Sequence, residues 1–211
     1  MLLPPLLPIF PLPNAVLFPN VFLPLHIFEP RYREMVRDAL GGDRLIGMVL
    51  LRPEGLKHDD GCPPVYAVGC AGLITHAALL EDGRYNIILR GLEKFRILGE
   101  DHDLPYRRAR IEPILESASD DERQVIRGER RKLEALLRLA IEHHGAEPHI
   151  PSAISDEDMV NALSQYLHLE PVEKQALLER DSLLARCESL IELLEMKVMV
   201  AKHHSRTDWT H

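Results

Sequence analysis

The sequence is poor in cysteine and in aromatic residues, and it carries no excess of basic charge. Three cysteines occur among 211 residues, an odd number without a C-x-x-C pair, so we expect no disulfide framework. Aromatic residues make up 5% of the chain, so a core must be built mainly from Leu, Ile and Val. The formal net charge of −8 argues against a nucleic-acid partner, because a basic surface supplies most of the affinity for phosphates.

Long apolar runs are also missing. No stretch approaches the ~20 apolar residues that a membrane-spanning helix needs. The apolar N-terminus, residues 1–13, resembles neither a signal peptide nor a continuous helix, because no Lys or Arg precedes Arg31 and prolines recur. The sequence therefore predicts a cytoplasmic protein that does not enter a membrane.

Motifs of the common catalytic and nucleotide-binding classes do not occur. The chain has no G-x-x-x-x-G-K-[ST], no G-x-G-x-x-G opening a helix, no G-x-S-x-G and no H-E-x-x-H. His143, His144 and His149 gather at a predicted helix end but lack a zinc-ligand spacing, so we expect solvated side chains there. Accordingly, we expect no catalytic residue, metal, cofactor or small-molecule substrate.

Three polar groups leave alternatives open. Residues 58–60 and 101–103 combine His with Asp, but they fall in predicted loops, where solvated turn residues are usual. A small hydrolase that uses them is the least favoured alternative. Arg107, Arg108 and Arg110 form one concentrated basic patch. This patch suits an acidic partner or RNA, or it only keeps an edge strand from pairing.

The first part of the chain has the pattern of a β-rich domain. Short β-prone runs alternate with Gly- and Pro-rich turns, and one early helix begins at Pro30. The pair Asp82-Gly83 lies between alternating runs and predicts a hairpin with a type I′ turn, in which both central residues have positive φ. No βαβ alternation is visible. We expect residues 1–116 to form a small barrel or folded sheet.

Beyond residue 116 the apolar spacing becomes helical. Capping patterns that begin at Ser119 and Ser155 predict two helices. Pro171 suits the first turn of a third helix, and apolar residues between 183 and 198 follow the spacing of a fourth. The sequence thus predicts an α+β protein whose second subdomain, residues 117–211, contains four helices.

Several motifs resemble the N-terminal, substrate-recognising domain family of Lon proteases, especially its stand-alone members. The opening motifs are LPIFPLPNAVLFP (residues 7–19) and LPLHIFEPRYREMV (residues 23–36). Further similar segments are VGCAGLI (68–74), DGRYNIILRGL (82–92) with residues 95–97, and a helical end at residues 160–194. Each motif alone is weak, but together they cover nearly the whole chain in the family's order.

The resemblance implies a PUA-like β pseudo-barrel with one early helix, followed by a C-terminal α-helical bundle. It also implies non-catalytic recognition of unfolded proteins or partner proteins, because the ATPase and protease segments of full-length Lon have no counterpart in the chain. An RNA-binding PUA-like module is the alternative, by analogy of fold.

The residues that we single out for partner binding are aromatic and basic. Most of the phenylalanines near the N-terminal prolines are expected to fill the core. The candidates for partner contact are Phe18, Phe22, Phe28, Arg108 and Arg110. An unpaired strand edge beside an exposed apolar patch would suit an added peptide strand.

Overall fold

The computed structural model describes residues 3–54, 63–141 and 154–207. The strands are β1 (Leu6–Leu12), β2 (Phe22–Ile27), β3 (Leu45–Leu50), β4 (Val68–Leu79), β5 (Tyr85–Asp101) and β6 (Arg108–Ile114). The helices are α1 (Pro30–Gly41), α2 (Asp120–Ile141), α3 (Asp156–Tyr166), α4 (Pro171–Leu178) and α5 (Leu183–Thr207). The α+β class, the early helix and the helical C-terminal region are confirmed.

The six strands form a sheet that closes on itself. Their order is β2-β5-β4-β3-β1-β6, and an additional pairing joins β5 to β6. Strands β1, β3, β4, β5 and β6 therefore form a closed ring, while β2 pairs with the first part of β5 through Tyr85 to Arg90. Closure is possible because the 17-residue β5 continues past β2 and pairs with β6 from Lys94 onward. This closed sheet is the expected pseudo-barrel.

The inside of the ring is packed with aliphatic side chains around one phenylalanine. The ring of Phe95 fills the space beside two glycines: a Cβ at Gly47 or Gly69 would come within 2.8 Å of its Cζ. Small residues on β3 and β4 therefore make room for the one large aromatic residue in this core. The buried core residues are Leu7, Ile9, Leu45, Val49, Ala71, Phe95, Ala109 and Ile111.

Helix α1 covers one outer face of the sheet unit as its spacing predicts. It begins with Pro30 at its N-terminus, and its inward side chains are Tyr32, Met35, Val36 and Ala39. The ring centroid of Tyr32 lies 4.4 Å from that of Phe10 on β1. Hence one of the N-terminal phenylalanines serves as a packing partner for the helix.

The hairpin between β4 and β5 occurs where the sequence predicts it, but its turn differs in type. Gly83 has φ of 79°, whereas Asp82 is not among the residues with positive φ. A type I′ turn requires positive φ at both central positions, so that prediction is wrong. Backbone hydrogen bonds join Leu80 N–H to Arg84 O and Gly83 N–H to Leu80 O, which makes a longer loop closed by one left-handed glycine.

The chain divides into two compact units. The sheet unit comprises residues 1–115 and 161–179, and the helical unit comprises residues 116–160 and 180–211. The predicted division at residue 116 differs in one segment, because it assigned residues 161–179 to the helical part.

Two buried glutamines explain why residues 161–179 belong to the sheet unit. The amide of Gln165 donates to Val16 O at 2.9 Å and accepts from Phe18 N–H at 3.2 Å. The amide of Gln175 donates to Val68 O at 3.0 Å. These bonds pair buried amides with backbone groups, so they hold the end of α3 against the segment between β1 and β2, and they hold α4 against β4.

Within the helical unit, α2 packs against α5 through apolar side chains. Buried residues of the two helices are Ile126, Leu133, Leu137, Cys187, Leu190 and Leu194. The guanidinium of Arg186 is fully buried and donates to both carboxylate oxygens of Glu116, at 2.7 and 2.9 Å. Among the described residues, no helix has the length and apolar character needed to cross a membrane.

Candidate functional site

Three exposed aromatic side chains line the outer side of β2. Phe22 begins the strand and is 49% exposed, and Phe28 follows the strand end and is 60% exposed. Tyr166, the last residue of α3, is 62% exposed, and its hydroxyl donates a 2.9 Å hydrogen bond to Phe22 O. We call Phe22, Phe28 and Tyr166 the aromatic strip. Large apolar side chains are usually buried, so a group of exposed ones marks a candidate contact surface.

Phe18 does not belong to this surface. Its side chain is completely buried, and its backbone carbonyl oxygen lies only 1.9 Å from the position that a Cβ on Gly91 would take. The segment around Phe18 is therefore clamped against β5, and the side chain offers no area to a partner in this structure. Of the three phenylalanines predicted for partner contact, Phe22 and Phe28 are accessible.

The free edge of β2 is a poor template for an added strand. Gly91 N–H bonds to Val21 O, so the alternating pattern of an antiparallel pair turns the backbone groups of Phe22, Pro24 and His26 away from β5. Pro24 has no N–H to donate, and the carbonyl of Phe22 already accepts from Tyr166. The side chains therefore offer more to a partner than the backbone edge does.

A network of polar side chains fills the surface between Phe28 and the β4–β5 hairpin. His26 Nδ1 lies 2.7 Å from Asn86 Oδ1, and its Nε2 lies 3.1 Å from a guanidinium nitrogen of Arg84. Arg84 in turn donates to Asp82 at 2.6 Å, and this bond lowers the pKa of the Asp82 carboxyl. The side chain of His26 is exposed, and its ring centroid lies 6.3 Å from that of Phe28.

The arginines of β6 lie apart from the aromatic strip. Strand β6 pairs with β5 beyond Lys94 and also with β1, so the interpretation of these arginines as a charged edge strand is wrong. Arg108 forms an ion pair with Asp101 at 2.8 Å, and Arg107 donates to Glu100 at 2.7 Å. Neighbouring carboxylates thus offset much of the basic patch, while Arg110 stays exposed.

A small cavity of about 120 Å³ lies beside this arginine cluster. Two buried tyrosines form part of its wall. Burial and a hydrogen bond to Asp38 raise the pKa of Tyr106 to about 12, and burial raises the pKa of Tyr32. Both phenols therefore stay protonated at neutral pH. The lining residues are Arg31, Tyr32, His102, Leu104, Pro105, Tyr106 and Arg107.

The residues that the structure describes give little support for a metal site or for a reactive nucleophile. No group of three or more His, Cys, Asp or Glu side chains there is arranged to hold a metal ion. Burial raises the pKa of the Cys187 thiol to about 11, which keeps it protonated and unreactive. The candidate clusters at residues 58–60, at 143–144 and at His149 lie outside the described residues.

Tyr166 is a candidate contact residue that the sequence analysis did not single out. The buried Met159 and Val160 follow the apolar spacing of α3, and Tyr166 lies outside that spacing. An aromatic residue on the outward face of a helix end was the available signal, but its partner Phe22 is 144 residues away. Periodicity describes one element at a time and does not reveal such a pairing.

Sequence comparison identifies the family of the chain. The family model of the ATP-dependent protease La (LON) substrate-binding domain matches residues 6–196. The chain is 29% identical to Lon protease 2 of Myxococcus xanthus over 98% of its own length and 25% of that protein. The same figures hold for the Lon protease of Anaeromyxobacter dehalogenans. The chain thus spans about a quarter of the length of the curated relatives that it matches.

Solved structures agree with this assignment. A Lon N-terminal domain protein from Xanthomonas campestris aligns with 89% of the chain and 97% of that structure, at 25% identity and a TM-score of 0.58. The N-terminal domain of a Lon protease from the Mycobacterium avium complex aligns with 90% of the chain and 98% of that structure, with 14% identity and a TM-score of 0.68. The chain belongs to the Lon substrate-binding domain family.

Proposed function

We propose that this member of the Lon substrate-binding domain family recognises unfolded proteins or partner proteins through its aromatic strip, without catalysing a reaction itself. The observation that carries the proposal is the exposed pair of Phe22 and Tyr166, joined by a hydrogen bond between hydroxyl and carbonyl. Aromatic side chains contribute most of the energy at many protein interfaces, because they bury large areas at a low cost in conformational entropy.

The strip suits binding because its parts are held before a partner arrives. Phe22 is fixed in a strand that pairs with β5, and Tyr166 is anchored through the α3 end and through its bond to Phe22. Next to Tyr166, Gln165 bonds to the backbone at Val16 and Phe18. Side chains that are already ordered lose less entropy on binding, so more of the contact energy becomes affinity.

Recognition then depends on side chains rather than on an added strand. An incoming strand would find no donor at Pro24 and would compete with Tyr166 for Phe22 O. Aromatic side chains accept many apolar sequences, so such a surface suits unfolded segments of varied sequence. Exposed apolar segments are the feature that unfolded proteins share.

We further propose that the chain provides recognition within a proteolytic system in the cytoplasm. The names of its relatives support this role, since the Myxococcus xanthus and Anaeromyxobacter dehalogenans proteins are Lon proteases and the matched domain is described as substrate-binding. No cofactor or small-molecule substrate is part of the proposal. The RNA alternative gains little from the basic patch, because Glu100 pairs with Arg107 and Asp101 pairs with Arg108, which leaves Arg110 as the exposed arginine of the three.

The proposed function is tested by titrating the full chain against a permanently unfolded, fluorescently labelled protein. We expect Phe22→Ala and Phe28→Ala each to weaken binding about tenfold, the loss typical of an aromatic contact residue. Leu98→Ala is the matched control, since Leu98 is an exposed apolar residue of the same unit at the β6-paired part of β5. Equal affinities for all three variants and the unsubstituted chain would overturn the proposal.

A further inference from the structure

A second surface with binding character lies within the helical unit. It is a groove of about 640 Å³ formed by α2, by the start of α3 and by the first residue of α5. Its described lining residues all belong to the helical unit, whereas the residues of the aromatic strip belong to the sheet unit. The lining residues are Arg123, Ile126, Arg127, Arg130, Ile154, Ser155, Asp156, Glu157 and Leu183.

One wall of the groove is a row of arginines on α2. Arg123 and Arg127 are one turn apart on the same helix face and are 60% and 77% exposed. Their ion pairs, at 3.8 Å to Asp120 and 3.6 Å to Asp156, are longer than hydrogen bonds. A guanidinium carries five N–H donors, so both side chains retain donors for a bound carboxylate.

Arg130, the third arginine of the row, has a different role. It is 20% exposed and forms ion pairs of 3.0 Å with both Asp156 and Glu134. It also donates to Ile154 O at 3.1 Å. Its charge is therefore matched inside the unit, and it fixes the start of α3 against α2. Arg123 and Arg127 therefore lie beside the start of α3, which Arg130 holds in place.

The rest of the groove limits what can bind. Two of its lining residues, Ile126 and Leu183, are buried and apolar, and a third, Glu157, is exposed and acidic. A nucleic acid carries a negative charge at every nucleotide, so the exposed carboxylate of Glu157 disfavours its backbone. A peptide can place its carboxylates beside the arginines and its neutral or basic groups beside Glu157.

We propose that this groove binds an acidic, partly apolar peptide segment of a partner protein. Carboxylates of the segment pair with Arg123 and Arg127, and an apolar side chain packs toward Ile126 and Leu183. Charge complementarity of this kind selects partners and speeds their association more than it raises affinity. The groove therefore adds a sequence preference that an aromatic surface alone does not supply.

The test uses the full 211-residue chain and two labelled peptides of equal length. One alternates Glu with Leu, and the other replaces every Glu with Gln. Binding is measured by fluorescence anisotropy for the unsubstituted chain and for a variant with Arg123→Glu and Arg127→Glu. The control carries Arg131→Glu and Arg138→Glu, which make the same charge change at exposed positions of α2 that do not line the groove. Circular dichroism confirms that each variant is folded.

We expect the acidic peptide to bind more tightly than its Gln counterpart, and the groove variant to lose about tenfold in affinity, as for two partly exposed ion pairs. The control should lose less than about twofold, from long-range charge alone. Equal losses in both variants, or no binding of the acidic peptide, would overturn the proposal. Tighter binding of a single-stranded RNA that competes with the peptide would also overturn it. We expect substitutions at Phe22 to leave the affinity for the acidic peptide unchanged, so either proposal can fail without the other.

Discussion

The hydroxyl of Tyr166 donates a 2.9 Å hydrogen bond to the backbone carbonyl oxygen of Phe22, across 144 residues of sequence. The bond occupies the first outward acceptor of β2 and brings the hydroxyl of one exposed aromatic residue to the backbone of another. It thereby both blocks strand addition at this point and presents an apolar surface. The proposed recognition of unfolded proteins rests on this pair.

Two substitutions at Tyr166 distinguish the contribution of its ring to binding from the contribution of its hydroxyl group. Tyr166→Phe keeps the aromatic surface and loses one exposed hydrogen bond, so we expect affinity for an unfolded protein to fall by about threefold or less. Tyr166→Ala removes the ring as well, and we expect about a tenfold loss. Isothermal titration calorimetry of each variant with the unfolded protein measures the two affinities. Similar losses for the two variants would mean that the ring makes no contact.

Gly91 and Gly128 form a contrasting pair for stability. A Cβ at Gly91 would lie 1.9 Å from Phe18 O, an overlap that only a backbone shift relieves, so Gly91→Ala should destabilise the sheet unit by roughly 3 kcal/mol or prevent folding. A Cβ at Gly128 in α2 meets nothing within 4 Å. Gly128→Ala should stabilise by about 0.5–1 kcal/mol, the difference in helix propensity. Thermal unfolding followed by circular dichroism checks both, and a tolerated Gly91→Ala would contradict the clamp at Phe18.

The amide of Gln165 should contribute more to stability than an exposed glutamine does. Gln165→Ala removes the amide that pairs with Phe18 N–H and Val16 O, and the loss of two buried hydrogen bonds should cost about 2–4 kcal/mol. Gln124→Ala on the exposed face of α2 is the control and should change stability by less than about 0.5 kcal/mol. Urea denaturation measures the stability of both variants. Equal unfolding midpoints for the two would mean that the bonds of Gln165 do not hold residues 161–179 in the sheet unit.

The thiol of Cys187 should be inert in the folded chain. Burial raises its pKa to about 11, so at pH 8 the reactive thiolate is on the order of one part in a thousand. Because a raised thiol pKa favours the neutral form, reactivity should rise only as the pH approaches that value or when the chain unfolds. Alkylation at pH 8, followed by mass spectrometry of the Cys187 peptide, should show modification only in denaturant. Rapid modification without denaturant would contradict the packing of α2 on α5.

Local features of the fold were predictable from the sequence. Pro30 marks the start of α1, and Ser119 caps α2 reciprocally with Glu122, whose N–H lies 3.2 Å from the serine hydroxyl. The hairpin at Gly83 was also placed correctly, although its turn type was not. These signals succeed because a cap or a turn is decided by residues within a few positions of one another.

Long-range pairings could not be predicted in the same way. Phe18 and Phe22 both stand among prolines, yet one is buried and the other is half exposed, because Gly91 and Gln165 clamp only the first. The pairing of β6 on both sides depends on the length and bending of β5, which spacing alone does not reveal. The aromatic strip combines β2 with α3, so the sequence indicated two of its three residues, Phe22 and Phe28, and not Tyr166.

Site-specific photo-crosslinking can locate the surface of the sheet unit that contacts an unfolded protein. A benzophenone amino acid placed at position 28 or at position 98 puts a reactive group on the aromatic strip or on the exposed control site of the same unit. When the chain is illuminated in the presence of an unfolded, labelled protein, we expect abundant crosslinks from position 28 and few from position 98. Equal crosslinking from the two positions, or crosslinking mainly from position 98, would contradict recognition through the strip.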